Sequence, residues 1–195
     1  DGYIIDVIKD DQLIEIQTAG FSSIKLKMVH LAKNYPTKLV YPIAETKWLL
    51  KLSEEPETAP IRRKSPRAGT IFDLFDELVS FPELIMEDHF SIEIVFIVEE
   101  EVRKFTGNKF WRRGGWKIVD RKLIQVLGTL CLPNAAAFSK LLPENLTESF
   151  TTKELAATVG ISIRKAQKMV YCLRKMNVIQ ASGKQGRYIV YTRSM

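Results

Sequence analysis

The sequence predicts an α/β body followed by a basic helical module, and three observations carry that prediction. Strand-like and helix-like segments alternate over the first 98 or so residues, the pattern of an α/β domain. Beyond them the apolar spacing is helical until a closing pair of strands. The charge is also divided: residues 150–195 hold nine basic side chains and one acidic, Glu154, for +8. Residues 1–149 hold 20 basic and 22 acidic, for −2, and the two parts sum to the formal +6 of the 195-residue chain. A small basic module on a near-neutral body points to a polyanionic partner, above all nucleic acid.

Composition sets the bounds. The chain is 46% hydrophobic and 27% charged, which excludes a disordered or collagen-like polymer and suits one large domain or two small ones. No run approaches the ~18 apolar residues a membrane helix needs. No charged and then apolar leader opens the chain, so the expectation is no membrane, no signal peptide and a cytoplasmic location. Because the first residue is Asp1 and not Met, sequence N-terminal to it is expected. Cys131 and Cys172 are too few for a disulfide scaffold or a cysteine zinc site and are read as buried thiols. His30 and His89 have no cysteine or acidic partners at ligand spacing and are assigned structural roles. Phosphate-loop, dinucleotide and nucleophile-elbow motifs are absent, which leaves ATPase, dehydrogenase and serine hydrolase chemistry without support.

The elements follow in order. Residues 3–9 and 12–18 read as strands around an Asp10-Asp11 turn. Phe21-Ser22-Ser23 opens a serine-capped helix to about Asn34, with Ile24, Met28 and Leu31 on one face, and Pro36 stops it. Two strands are expected at 38–43 and 47–52, then a Pro-rich loop over 53–69 that shifts from acidic to basic. Thr70 caps a helix to Ser80, Pro82-Glu83 starts another turn, and 91–98 is an apolar strand. A helix is expected over 118–132 and a short one over 134–142. The domain boundaries expected are therefore 1–100, a basic connection at 101–117, and 118–195.

At the C-terminus, Thr151 with Glu154 three residues later forms a capping box. Gly160 ends that helix, and Ser162 caps a second, basic one to about Asn177. Its buried stripe is Ala166, Met169, Val170, Leu173 and Met176, and the opposite face presents Arg164, Lys165, Lys168 and Lys175. Two strands around Ser182-Gly183-Lys184-Gln185-Gly186 close the chain. A helix, a glycine turn, a basic helix and a Gly-rich basic hairpin resemble a winged helix-turn-helix. The resemblance implies DNA as partner, with Arg164, Lys165 and Lys168 at the major groove and Lys184 and Arg187 on phosphates. Arg62, Arg63, Lys64 and Arg67 form a second basic cluster. Arg112 and Arg113, between Trp111 and Trp116, form a third, suited to phosphates and bases.

The front hairpin carries the chemistry. A two-residue turn at Asp10-Asp11 pairs Lys9 with Gln12, and that register sets Asp6 opposite Glu15 on one face. Gln17 shares the face because the strand period is two, while Ile5, Ile14 and Ile16 are expected to point into a core. Opposed carboxylates repel, and a hard divalent cation turns the repulsion into attraction. Asp6, eight intervening residues, then Glu15-Ile16-Gln17 resembles the metal site of the PD-(D/E)XK nucleases, whose β-hairpin, helix and strand would be residues 3–43 here. The resemblance implies a restriction-endonuclease-like mixed sheet flanked by helices. It also implies Mg²⁺ or Mn²⁺ on Asp6 and Glu15 and hydrolysis of DNA phosphodiester bonds. Gln17 stands where the family usually has lysine; it would orient a water, and Lys25 on the next helix would supply the missing charge. A homodimer follows by analogy, since cutting both strands needs two sites. The alternative is a DNA-binding regulator or sensor with a degenerate nuclease fold.

Overall fold

The structure, a computed structural model, describes residues 2–52, 59–106 and 115–194. Asp10 and Asp11 both take left-handed backbone, φ 48° and 62°, as a two-residue hairpin turn matched to strand twist requires. They join β1 (Val7–Lys9) to β2 (Gln12–Ile16), with Val7 opposite Ile14 and Lys9 opposite Gln12. That is the register the turn predicts. Helix α1 (Phe21–Asn34) then crosses over to β3 (Thr37–Leu52), which lies parallel to β2 with Leu13 beside Thr37 and Ile16 beside Val40. A parallel neighbour needs such a crossover, and the helix supplies it.

Several elements differ from the expectation. The two strands expected at 38–43 and 47–52 are one strand of 16 residues. Part of the Pro-rich loop is β4 (Ile61–Lys64), antiparallel to β3 with Trp48 opposite Lys64. The helix expected from Thr70 is a 3-10 turn, Ile71–Asp73, running into the short α2 (Leu74–Leu78), and a second 3-10 helix spans Pro82–Met86. Strand β5 runs Phe90–Phe105. The expected helix over 118–132 is instead β6 (Trp116–Leu132), a 17-residue strand. Its apolar residues fit either period, and Ile118, Val119, Ile124, Val126 and Thr129 are β-branched, which favours the extended chain. One six-stranded sheet of mixed direction runs β1-β2-β3-β5-β6, with β4 also on β3.

A 3-10 helix over Ala135–Leu141 leads to β7 (Ser149–Thr151), α3 (Thr152–Val159), α4 (Ile163–Lys175), β8 (Ile179–Gln185) and β9 (Tyr188–Arg193). These last three strands form a second sheet in the order β7-β9-β8. The caps of α3 and α4 are those the sequence predicts. Thr151 and Glu154 close a capping box, Gly160 is left-handed at φ 73°, and the Lys165 amide donates to Ser162 Oγ at 3.2 Å.

By its contacts the chain divides into two units that interleave in sequence: Asp1–Tyr41, Ile71–Ile94 and Leu130–Met195 in the first, Pro42–Thr70 and Val95–Thr129 in the second. This differs from the expected 1–100, 101–117 and 118–195, because β3, β5 and β6 each pass from one unit into the other. In the first unit Phe21, fully buried, stacks on Phe81 at 5.5 Å and meets Tyr41 edge-on at 5.3 Å. Phe75 meets Phe138 at 6.3 Å, and Ala166, Met169 and Leu173 of α4 are buried in the same unit. The second unit is strands held by ion pairs, between strands for Lys47 with Glu99 at 2.6 Å and Arg62 with Glu100 at 2.7 Å, and along β5 for Arg103 with Glu101 at 2.6 Å. Cys172 is buried as expected, but Cys131 is exposed, because it lies on a strand and not in a packed helix. Among the described residues no helix is long and apolar enough to cross a membrane.

Phe21 fixes the start of α1 against the sheet. Phe21→Ala is expected to lower the unfolding free energy by about 3–5 kcal/mol, read from the denaturant midpoint at constant slope.

Candidate functional site

At the hairpin end Asp6, Glu15 and Gln17 each have a partner other than the one expected. Asp6 sits at the bend before β1, and its Oδ2 accepts the Ile16 amide at 2.8 Å. The ladder pairs run from Val7 opposite Ile14 to Lys9 opposite Gln12, so the expected Asp6–Glu15 pair is not among them, and the Asp6 carboxylate serves as a backbone acceptor. Glu15 is only 5% exposed, and its Oε2 holds Lys27 Nζ at 2.6 Å. The lysine that reaches the carboxylate is thus Lys27, while Lys25 is exposed. Gln17 donates its side-chain amide to the Ala19 carbonyl, and its backbone amide extends the β2–β3 ladder to Val40 at 2.9 Å. Its side chain therefore fixes the turn into α1.

The expectation for the isoleucines is corrected. Ile5 and Ile14 are half-buried and Ile16 is 46% exposed, because α1 lies over the Glu15 face of the hairpin and not over theirs. A serine does not cap α1 either. Its N-cap is Gly20, left-handed at φ 74°, and the Gly20 and Phe21 amides donate to Glu77 of α2 at 2.7 and 3.1 Å. A carboxylate at a helix N-terminus satisfies free amides and the positive end of the dipole together.

The donors expected for a metal here are two carboxylates. Among the described residues no group of three or more His, Cys, Asp or Glu side chains is disposed to hold an ion. Mg²⁺ commonly engages one or two carboxylates and keeps several waters, so the chemistry of Asp6 and Glu15 fits it.

The basic face of α4 is occupied. Lys165 pairs with Asp73 and, at 3.2 Å, with Asp76; Lys168 pairs with Asp76 at 2.8 Å; Lys175 pairs with Glu83 at 2.9 Å. The expectation that Lys165 and Lys168 face a DNA groove is therefore corrected: they face the acids around α2. Arg164, at the start of α4, is exposed, as are Lys184 and Arg187 at the β8–β9 turn. The Arg187 guanidinium lies 5.2 Å from the Tyr188 ring. A cleft of about 480 Å³ opens beside this turn, lined by Thr151, Lys153, Glu154, Ala157, Gln185, Gly186 and Tyr188. Arg112 and Arg113 lie outside the described residues. Arg62 is taken up by Glu100 and lies 4.1 Å from the Trp48 ring.

Sequence reasoning passed over the acids at 73, 76, 77 and 83. A signal was there: Asp73 and Asp76 are three apart, as are Lys165 and Lys168, so one turn of each helix presents a matching pair. The Tyr41 hydroxyl records the same charge. Burial first, and then Glu77, Asp73 and Asp76, push its pKa up to about 12.

Residues 1–133 match the family described as "Domain of unknown function (DUF8091)". An uncharacterized protein of Treponema pallidum (strain Nichols) is 29% identical over 192 residues, 97% of this chain and 75% of that relative. No solved structure matches the chain.

The ion pairs on α4 have a pH signature. Burial pushes the Asp76 carboxyl up, but hydrogen bonds and charge from Lys168 and Lys165 outweigh it and hold the group below its ordinary value. Burial pushes Lys165 down, and Asp73 and Asp76 outweigh that and raise it. A lowered carboxyl stabilises the fold above its unfolded pKa, ~3.9, and that contribution is lost as pH falls through the folded value. A raised lysine stabilises below ~10.4, and its contribution is lost as pH rises through the folded value. Melting temperature is therefore expected to plateau between roughly pH 5 and pH 9. Asp76→Asn is expected to flatten the acid limb of that profile and to cost about 1 kcal/mol at neutral pH, less in high salt.

Proposed function

The chain belongs to the family described as "Domain of unknown function (DUF8091)", and from its hairpin end we propose that it is a metal-dependent DNA endonuclease-like protein hydrolysing phosphodiester bonds. One observation carries this reading: exposed Asp6 accepts the amide of Ile16, next in the chain to Glu15, whose buried carboxylate holds the Lys27 ammonium of the crossover helix. Asp6 and Glu15 would hold Mg²⁺ or Mn²⁺. When bound, such a cation supplies charge neutralisation at the phosphate and acidity to a water. Lys27 supplies the positive charge that Gln17 lacks, from the helix and not from the strand. Its place in the sequence differs from the PD-(D/E)XK pattern, and its charge meets the same carboxylate. Exposed Lys25 adds a phosphate contact on the outer side of α1. DNA is held by Arg164, Lys184 and Arg187 in the manner of a winged helix-turn-helix, mainly through its hairpin.

A second reading has its own observation. Gln17 is tied to Ala19, and Glu15 is neutralised by Lys27 without any metal. Both suit a DNA-binding regulator whose nuclease-like domain is degenerate.

The test is incubation of the purified chain with linear, circular and single-stranded DNA, in Mg²⁺, Mn²⁺ or EDTA. Metal-dependent cleavage is expected, falling about 100-fold or more in Glu15→Gln and in Asp6→Asn. Salt-sensitive binding without cleavage in any metal overturns the nuclease reading and leaves the regulator. Neither cleavage nor binding overturns both.

A further inference from the structure

Strand β6 ends the six-stranded sheet, so among the described residues no strand pairs with its outer side. It is 17 residues long and holds no proline. Within the second unit it leaves Val119, Leu123, Ile124, Val126 and Leu127 between 45% and 63% exposed. Soluble proteins blunt such edges by shortness, proline, lysine or cover, because an open ladder with apolar side chains templates pairing with another chain. Here charge blunts only the first half, at Lys117, Asp120, Arg121 and Lys122.

The arrangement of those charges selects the occupant. We propose that β6 pairs with β6 of a second copy of this chain, as an antiparallel ladder about a two-fold axis at Arg121. In that register Asp120 faces Lys122 of the partner subunit, and Lys122 faces the partner's Asp120. Ile118 faces the partner's Ile124, and Val119 faces the partner's Leu123. Opposite charges and apolar pairs are the combinations that stabilise facing strands. Arg121 meets its own copy on the axis, where Glu101 lies 3.7 Å from it and offsets its charge. A shift of the axis by one residue sets Lys122 against its copy, or Asp120 against its copy, and lays the remaining charges against isoleucine, leucine or valine. Such like-charge contacts destabilise a ladder. The matched stretch runs over residues 116–126 of each chain, about 37 Å of edge at ~3.4 Å per residue. Symmetric, isologous association of this kind closes at two copies and pairs the edge over those residues. The inference stands apart from the proposed catalysis.

Sedimentation velocity of the whole chain over roughly 1–100 μM tests it. A dimer is expected. Asp120→Lys and Ile124→Lys are each expected to weaken it about tenfold or more, with unchanged far-ultraviolet circular dichroism. The double exchange Asp120→Lys with Lys122→Asp is expected to restore it. Spin labels placed singly at 119, 121, 123 and 125 are expected to approach most closely at 121. A monomer at every concentration overturns the proposal. So does a dimer indifferent to both substitutions, or a closest approach at 125.

Discussion

A short run of acids around α2 organises the first unit. Glu77 holds the first amides of α1, and Asp73, Asp76 and Glu83 hold three lysines of α4. Helix α2 has only five residues, too few to be stable by its own hydrogen bonds. Packing and charge keep it in place instead. Leu74, Phe75 and Leu78 are fully buried on one side, while Asp73, Asp76 and Glu77 point to partners on two other helices. Clustered carboxylates repel one another, so α1 and α4 are both needed to keep that cluster compact. The raised Tyr41 hydroxyl marks how much negative charge is gathered there.

The second constraint is a carboxylate where a strand would ordinarily bury an apolar side chain. Glu15 is more buried than Ile14 or Ile16 on either side of it. An uncompensated buried carboxylate costs several kcal/mol, so it demands a close opposite charge. Lys27 meets the demand, and in doing so fixes how α1 sits on the hairpin. A polar pair is a costly way to dock a helix, since apolar residues of like volume often serve as well or better. Its presence in a small α/β unit is the physical feature on which the proposal of a site at this end of the hairpin rests.

Local chemistry was legible in the sequence, and tertiary choice was not. The Asp10-Asp11 turn determined the hairpin register, and the Thr151, Gly160 and Ser162 signals placed α3 and α4 closely, because turns and caps are decided within a few residues. The docking of α1 was not legible. Lys25 and Lys27 both flank the apolar stripe of Ile24, Met28 and Leu31, and only the seating of the helix on the sheet decides which flank meets Glu15. Strand β6 failed for a related reason. Its residues 121–130 are exposed on both faces, so no buried face imposes a period of two, and an apolar run of that kind also reads as a helix. The lysines of α4 were read correctly as one face, but a charged face does not say whether solvent, DNA or other parts of the same chain will meet it.

That last point changes what the +8 of residues 150–195 can do. Lys165, Lys168 and Lys175 are engaged by acids of residues 73–83, and Arg193 donates to the Pro143 carbonyl at 2.9 Å. Lys153, Arg164, Arg174, Lys184 and Arg187 are exposed, at the starts of α3 and α4, the last turn of α4 and the β8–β9 turn. The first turn of α4 holds no acid of its own, but Ser162 caps it and Asp73 and Asp76 lie against its Lys165. A helix that reads a groove does so with its N-terminal residues, and in the first turn of α4 Arg164 is exposed while Lys165 is held by Asp73 and Asp76. Charge neutralised within the chain thus fixes the flank of the helix. The charge that remains lies on Arg164 and Arg174 near the two ends of α4, on Lys153, and on Lys184 and Arg187 of the hairpin.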